Sequence, residues 1–161
     1  DGVMQAPGRE FAARAVRYTT DNSKAELQLD IAAAYPAEAH LQNWLRTIRL
    51  QRNEHVLVKE NYRLTAQAKE ITLSWLTPCQ VQELKPGALR LISTMTGGAK
   101  AAELDLLYNA DDFSVVLEPV PLDDERLSSI WSAGLMRIML KAKNPALQQS
   151  WNLHFRPHTS R

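Results

Sequence analysis

Arg46 and Glu60 are the residues whose types and placement first point to chemistry. Each interrupts an apolar alternation: Arg46 stands among Trp44, Ile48 and Leu50, and Glu60 among Val56, Val58, Tyr62 and Leu64. Between the two runs, Arg52-Asn53-Glu54 suits a short loop in which Asn53 takes a left-handed conformation. With Asn53 at the centre of a hairpin, Trp44 faces Tyr62, Ile48 faces Val58, Leu50 faces Val56, and Arg46 faces Glu60. A guanidinium and a carboxylate so placed form a structural ion pair on the apolar, sandwich-facing side. The competing chemistry is an Arg46 that binds an acidic sugar, with Glu60 contending for the same guanidinium.

Other reactive residue types lack the neighbours that would activate them. No Gly-x-Ser-x-Gly elbow is present, and Cys79 follows Pro78 with no nearby His or helix terminus to lower its pKa, so it reads as a half-buried strand residue. Gly97-Gly98-Ala99-Lys100 lacks the glycine spacing and the Lys-Ser/Thr pair of a phosphate loop and reads as a hairpin turn. The histidines His40, His55, His154 and His158 form no His-x-His or Glu-x-x-His pair, so no local metal spacing exists. His55 reads as a turn residue, His154 as part of a polar strand face, and His158 as part of a tail. Asp111-Asp112 and Asp123-Asp124 are carboxylate pairs, but adjacent residues point apart, and turns and caps account for them. Among four tryptophans, Trp44, Trp75 and Trp151 fall on apolar strand faces and read as core. Trp131 is the one candidate for a surface platform against a sugar ring.

The elements that hold these residues have a period of two. Lys24 to Ile31 alternates, with Ala25, Leu27, Leu29 and Ile31 on one face. The same pattern returns at Ile71-Leu73-Trp75, Leu89-Leu91, Ala102 to Tyr108, Phe113-Val115-Leu117, Met136-Ile138-Leu140 and Trp151-Leu153-Phe155. Turn signals separate them at Lys85-Pro86-Gly87, Thr96-Gly97-Gly98, Asn109 to Asp112 and Lys143-Asn144-Pro145. Roughly ten strands at this spacing predict an all-β, antiparallel sandwich of two sheets with little helix. Ala32-Ala33-Ala34 reads as the end of a strand because Pro36 disfavours helix at Tyr35. Ala37 onward suits one helical turn with Pro36 in its first position, the next strand opening at Trp44. Asp123 or Asp124 caps a short turn that carries Leu127, Ile130 and Trp131 inward.

Composition bounds the rest. The chain has 161 residues, 45% hydrophobic and 23% charged, enough for one domain over residues 1–161 with its own core. No apolar run approaches the ~20 residues of a membrane-spanning helix. One cysteine excludes an internal disulfide framework and a cysteine-rich zinc site. A formal charge of +1 gives no footprint for a nucleic-acid partner, while leaving room for a local basic patch suited to an acidic sugar. The chain starts at Asp1 with no basic-then-apolar leader, which leaves two expectations: a removed signal peptide, or a piece of a longer protein.

Taken in order, Ala33-Ala34-Tyr35-Pro36, Trp44-Leu45-Arg46-Thr47-Ile48-Arg49-Leu50, Val56-Leu57-Val58-Lys59-Glu60-Asn61-Tyr62 and Ile71-Thr72-Leu73-Ser74-Trp75-Leu76-Thr77 form a pattern. It ends with Trp131 ahead of Leu135-Met136-Arg137-Ile138-Met139-Leu140. This pattern resembles the C-terminal β-sandwich region of heparinase II/III-like polysaccharide lyases over most of residues 10 to 156. Its motifs are short, and their order and spacing carry the likeness. Glu60 stands where the family commonly has Asp. The resemblance implies a larger, exported parent, periplasmic or extracellular, with an N-terminal α/α toroid as partner and acidic polysaccharide as substrate, cleaved by β-elimination. In that family the base and the carboxylate-neutralising groups come largely from the toroid, and the structural metal ligands of some members lie ahead of this stretch. The resemblance therefore assigns no catalytic residue, metal ligand or cofactor here. Two functions follow: a non-catalytic sandwich that supports the toroid and its glycan cleft, or a free-standing carbohydrate-binding or protein-interaction module.

Overall fold

Alternation becomes antiparallel sheet throughout the computed structural model, which describes residues 2–93, 102–131 and 134–158. The strands are β1 (Arg14–Thr20), β2 (Lys24–Asp30), β3 (Leu41–Gln51), β4 (His55–Leu64), β5 (Thr72–Thr77) and β6 (Gln80–Lys85). They continue with β7 (Ala88–Ile92), β8 (Glu103–Leu107), β9 (Phe113–Pro121), β10 (Gly134–Ala142) and β11 (Gln148–Pro157), with one α-helix, α1 (Glu125–Trp131), between β9 and β10. Two antiparallel sheets, of eight and three strands, make the all-β sandwich expected from the sequence. The chain divides into two compact units, residues 1–71 with 144–154 and residues 72–143 with 155–161. The Gly97-Gly98-Ala99-Lys100 stretch and the Thr96-Gly97-Gly98 turn lie outside the described residues.

In the first unit β1 to β4 form a meander. Asn53 has φ +63° at the tip of the β3–β4 hairpin, and the register pairs Trp44 with Tyr62, Arg46 with Glu60, Ile48 with Val58 and Leu50 with Val56. β4 alternates strictly: Val58, Glu60, Tyr62 and Leu64 are buried, and Lys59, Asn61 and Arg63 are exposed. The aromatic centre is a mutual cluster: Trp44 stacks on Tyr62 at 5.1 Å between ring centroids, and Trp151 lies 4.9 Å from Tyr62 and edge-on to Trp44 at 6.4 Å. Such offset aromatic packing adds to the apolar burial of each ring. β2, by contrast, is half-buried at every position, because its polar face is engaged too. Glu26 there accepts from Arg49, and Gln28 donates to Thr47.

Local expectations change around Pro36. Ala32–Ala34 is a turn of 3-10 helix and not a strand end. Pro36 restricts only Tyr35, which is extended at φ −111° and ψ 148°, while Asp30 accepts from the Ala32 amide and fixes the turn. Pro36 is the N-cap of the following turn, Ala37–Ala39, and not its first residue. His40 closes that turn at φ +53°, so β3 starts at Leu41, ahead of Trp44.

The second unit holds the three-stranded sheet β5-β10-β9 and the run β6-β7-β8. Register pairs Ile138 with Trp75 and Leu117, and Leu140 with Leu73 and Val115, so these residues share one face. Ile138 and Leu140 on that face, and Leu89 and Leu106 in β7 and β8, are almost fully enclosed. Gly87 turns the chain between β6 and β7 at φ +86°, and a Cβ there would meet the Tyr108 carbonyl oxygen at 2.7 Å. Only glycine fits that position. Asp124 caps α1 by accepting from the Arg126 and Leu127 amides. The helix does not turn its apolar residues inward: Leu127, Ile130 and Trp131 are 46%, 63% and 41% exposed. With seven residues it makes under two turns, too few to bury a full stripe.

Candidate functional site

The β3–β4 register brings Arg46 and Glu60 together on the buried face. Arg46 Nε donates to Glu60 Oε1 at 2.7 Å, and Trp44 Nε1 donates to Glu60 Oε2 at 2.6 Å. The Glu60 side chain is fully enclosed, whereas the Arg46 side chain is 33% exposed. Burial pushes the Glu60 carboxyl above its usual range, and the Arg46 charge and the Trp44 and Arg46 hydrogen bonds pull the other way. Tyr35 lies near the pair; burial raises its hydroxyl pKa, Arg46 lowers it and Glu60 raises it. Each Glu60 oxygen already accepts a donor, and the Tyr35 phenol is harder to ionise than usual. This cluster positions strands and is poorly set up to remove a proton from a substrate. Tyr62 extends it, its hydroxyl 3.1 Å from the Ala146 carbonyl oxygen and 3.3 Å from Gln149 Oε1.

The opposite face of the same strands is polar and cationic. Register places Arg14 and Arg17 of β1 on it, with Lys24 of β2, Arg49 of β3, and Lys59 and Arg63 of β4. The acids on this face are Glu26 and Asp30. Glu26 pairs with Arg49 Nε at 2.5 Å, while Asp30 accepts from the Ala32 and Trp44 amides. Arg63 donates to Gln148 Oε1 at 2.8 Å, and His55 and His154 approach at 5.5 Å between ring centroids. Leu45 and Leu57 are the apolar exceptions on β3 and β4.

A second charged cluster, in the second unit, escaped the sequence reading. Arg90 and Asp105 face each other across β7 and β8, with Nε to Oδ1 at 2.8 Å and Nη2 to Oδ2 at 3.1 Å, a two-pronged pair. The Arg90 hydrogen bond holds the Asp105 carboxyl below its usual range. Glu103 lies 3.5 Å from Arg90 Nη1, and His158 Nδ1 lies 3.0 Å from Arg90 Nη2. His158 is therefore no loose tail residue: its amide also donates to the Glu103 carbonyl oxygen at 2.9 Å. The available signal was a charge inside each apolar alternation, Arg90 between Leu89 and Leu91, and Asp105 between Leu104 and Leu106.

The remaining candidates take structural places. Cys79 sits in the bend between β5 and β6 rather than in a strand, half-buried, its amide donating to Thr77 Oγ1. His55 opens β4. Asn109 binds the Asp111 amide and the Asp112 carboxylate, so that pair serves a turn. Trp131 is exposed at the end of α1, without an aromatic neighbour among the described residues. Trp75 meets Phe155 edge-on at 6.4 Å. A shallow hollow of about 240 Å³ is lined by Gly87, Tyr108, Phe113 and Lys143, whose ammonium donates to the Ala110 carbonyl oxygen. Among the described residues no group of three or more His, Cys, Asp or Glu side chains is arranged to hold a metal ion. No helix among them is long and apolar enough to cross a membrane.

No protein-family model and no curated protein matches the chain. Among solved structures it is similar to the heparan sulfate lyase HepC from Pedobacter heparinus, at 16% identity and a TM-score of 0.66, over 92% of this chain and 22% of that one. It is also similar to a heparinase III, at 10% identity and a TM-score of 0.64, over 91% of this chain and 21% of that one. The likeness is one of fold, and it agrees with the resemblance read from the sequence. The chain spans about a fifth of the length of these lyases.

Proposed function

We propose that residues 1–161 form the C-terminal β-sandwich domain of a larger, exported heparinase II/III-like polysaccharide lyase. Its role is non-catalytic: it packs against an N-terminal α/α toroid and walls the cleft that holds an acidic polysaccharide. The observation that carries this reading is the fold match, which takes in nearly all of this chain and only about a fifth of each lyase. The chemistry of the described residues supports it. β-Elimination needs a base beside the uronate and cations to neutralise its carboxylate. The buried carboxylate Glu60 is held by Arg46 and Trp44, and the guanidinium Arg90 is held by Asp105. Structural pairing already occupies the groups best enclosed for chemistry.

The test is the ultraviolet absorbance of the unsaturated uronate product, with heparin, heparan sulfate and related glycans as substrates. The purified 161-residue chain is expected to give none, while the full-length parent gives turnover. Robust turnover by the chain alone, abolished by a point substitution within it, overturns the reading.

A further inference from the structure

We propose that the outer edge of β1 accepts an extended acidic segment of a partner protein as an added strand. β1 is an edge of the eight-stranded sheet, paired with β2 and exposed at every position. The Asp21 amide donates to the Lys24 carbonyl oxygen at 2.9 Å, so Asp21 and Lys24 form a hydrogen-bonded pair of the antiparallel ladder. The register runs unbroken from there to Arg17 opposite Gln28, and hydrogen-bonded pairs alternate along it with pairs that are not. The amides and carbonyls of Arg17 and Thr19 therefore turn toward β2, and those of Tyr18 and Thr20 turn outward from the sheet. These outward groups are the donors and acceptors that a further strand would take up.

Side chains along this edge fix the chemistry of the added strand. Tyr18, 64% exposed, continues the row of Leu27, Ile48 and Val58 on the apolar face of the sheet. Arg17 stands on the opposite face, exposed and without an acidic partner among the described residues. Arg52 reaches the end of the same edge, its Nη2 donating to Thr20 Oγ1 at 3.3 Å. No acid lies within β1. A strand that alternates acidic and apolar residues would set an acid beside Arg17 and an apolar side chain beside Tyr18. A second copy is a poorer occupant, because β1 against β1 would gather Arg14 and Arg17 of both chains with no acid between them. The bulge at Ala15, with φ +50°, also interrupts the edge ahead of Arg17, a device that keeps edges from pairing with their own kind. The inference does not depend on the lyase role proposed above.

Titration of the chain with a short capped peptide of alternating glutamate and valine tests the edge, with amide exchange followed by NMR. Binding is expected to slow exchange at the Tyr18 and Thr20 amides and to leave α1, in the second unit, unchanged. Control peptides carry the same residues in two blocks, lysine in place of glutamate, or N-methyl groups along the backbone. Each control is expected to bind about ten-fold more weakly or worse. Arg17→Glu is expected to weaken binding about ten-fold or more and Arg126→Glu, on α1, to change it little, with circular dichroism checking that both are folded. Failure of the unaltered chain to bind, unchanged exchange at Tyr18 and Thr20, or equal binding of the N-methylated peptide overturns the added strand. Equal binding of the lysine or block peptide, or equal weakening by the two substitutions, overturns the selection of an alternating acidic segment. A chain that dimerises unaided, with Tyr18 and Thr20 already protected, gives the edge to a second copy and overturns the partner.

Discussion

At the scale of residues, the Arg46–Glu60 and Arg90–Asp105 ion pairs are of opposite character, and pH separates them. Glu60 is buried and its carboxyl titrates above the ordinary value of 4.5. The folded chain thus holds that proton more tightly than the unfolded one, and the stability this gives is full below the ordinary value and is lost as pH rises through the raised one. Asp105, held below its ordinary 3.8, contributes stability above that value and loses it as pH falls through the lowered one. Unfolding followed against pH should show Glu60→Gln gaining on the parent sequence as pH rises past 4.5, and Asp105→Asn matching it only in strong acid. A Glu60→Gln chain that loses ground over the same rise contradicts the burial argument. At neutral pH, Arg46→Met should cost about 3 kcal/mol, because it strands a buried carboxylate that still keeps its Trp44 donor. A double-mutant cycle with Glu60→Met should show strong coupling, and additive effects would mean that the two side chains do not act together. Arg46 and Glu60 were legible because a short loop with a left-handed Asn53 fixes the register. Arg90 and Asp105 were not, because the stretch of sequence between β7 and β8, residues 93–102, offers no single centre from which to count their register.

Elements were legible where one face is buried and illegible where neither is. β4 alternates in sequence and in burial alike. β1 is exposed at every position and β6 at nearly all, and they are the two edges of the eight-stranded sheet, paired with β2 and β7 respectively. With neither face buried, nothing imposes a period of two on these two strands, and their residues are free to be Arg, Thr, Gln or Glu. α1 misled for a related reason: Leu127, Ile130 and Trp131 have helical spacing, but a helix so short leaves them at the surface. Turn chemistry gives the sharpest prediction at this scale. Gly87→Ala should destabilise the chain by roughly 1–3 kcal/mol, from a positive φ and a Cβ against the Tyr108 carbonyl. Asn53→Gly, at a left-handed position without such crowding, should stay within about 1 kcal/mol of the parent sequence in denaturant unfolding. Equal losses at the two positions would contradict the distinction.

At the scale of the whole molecule, period two with Gly, Pro, Asn and Asp turns led to an all-β antiparallel sandwich, and the two sheets agree. The division into two units was not legible, because β11 carries one alternation, Trp151-Leu153-Phe155, straight through the boundary between His154 and Phe155. The likeness to the heparinase fold was legible only through order and spacing of short motifs, since no reactive constellation stands out in the sequence. The cationic face of β1 to β4 went unread because register across four strands assembles it. The proposed supporting role has a direct test in the full-length parent carrying Arg46→Met, with melting temperature and turnover per folded molecule measured together. A supporting sandwich predicts a melting temperature several degrees lower with kcat per folded molecule unchanged. A collapse of kcat at an unchanged melting temperature would place Arg46 in the chemistry and contradict it.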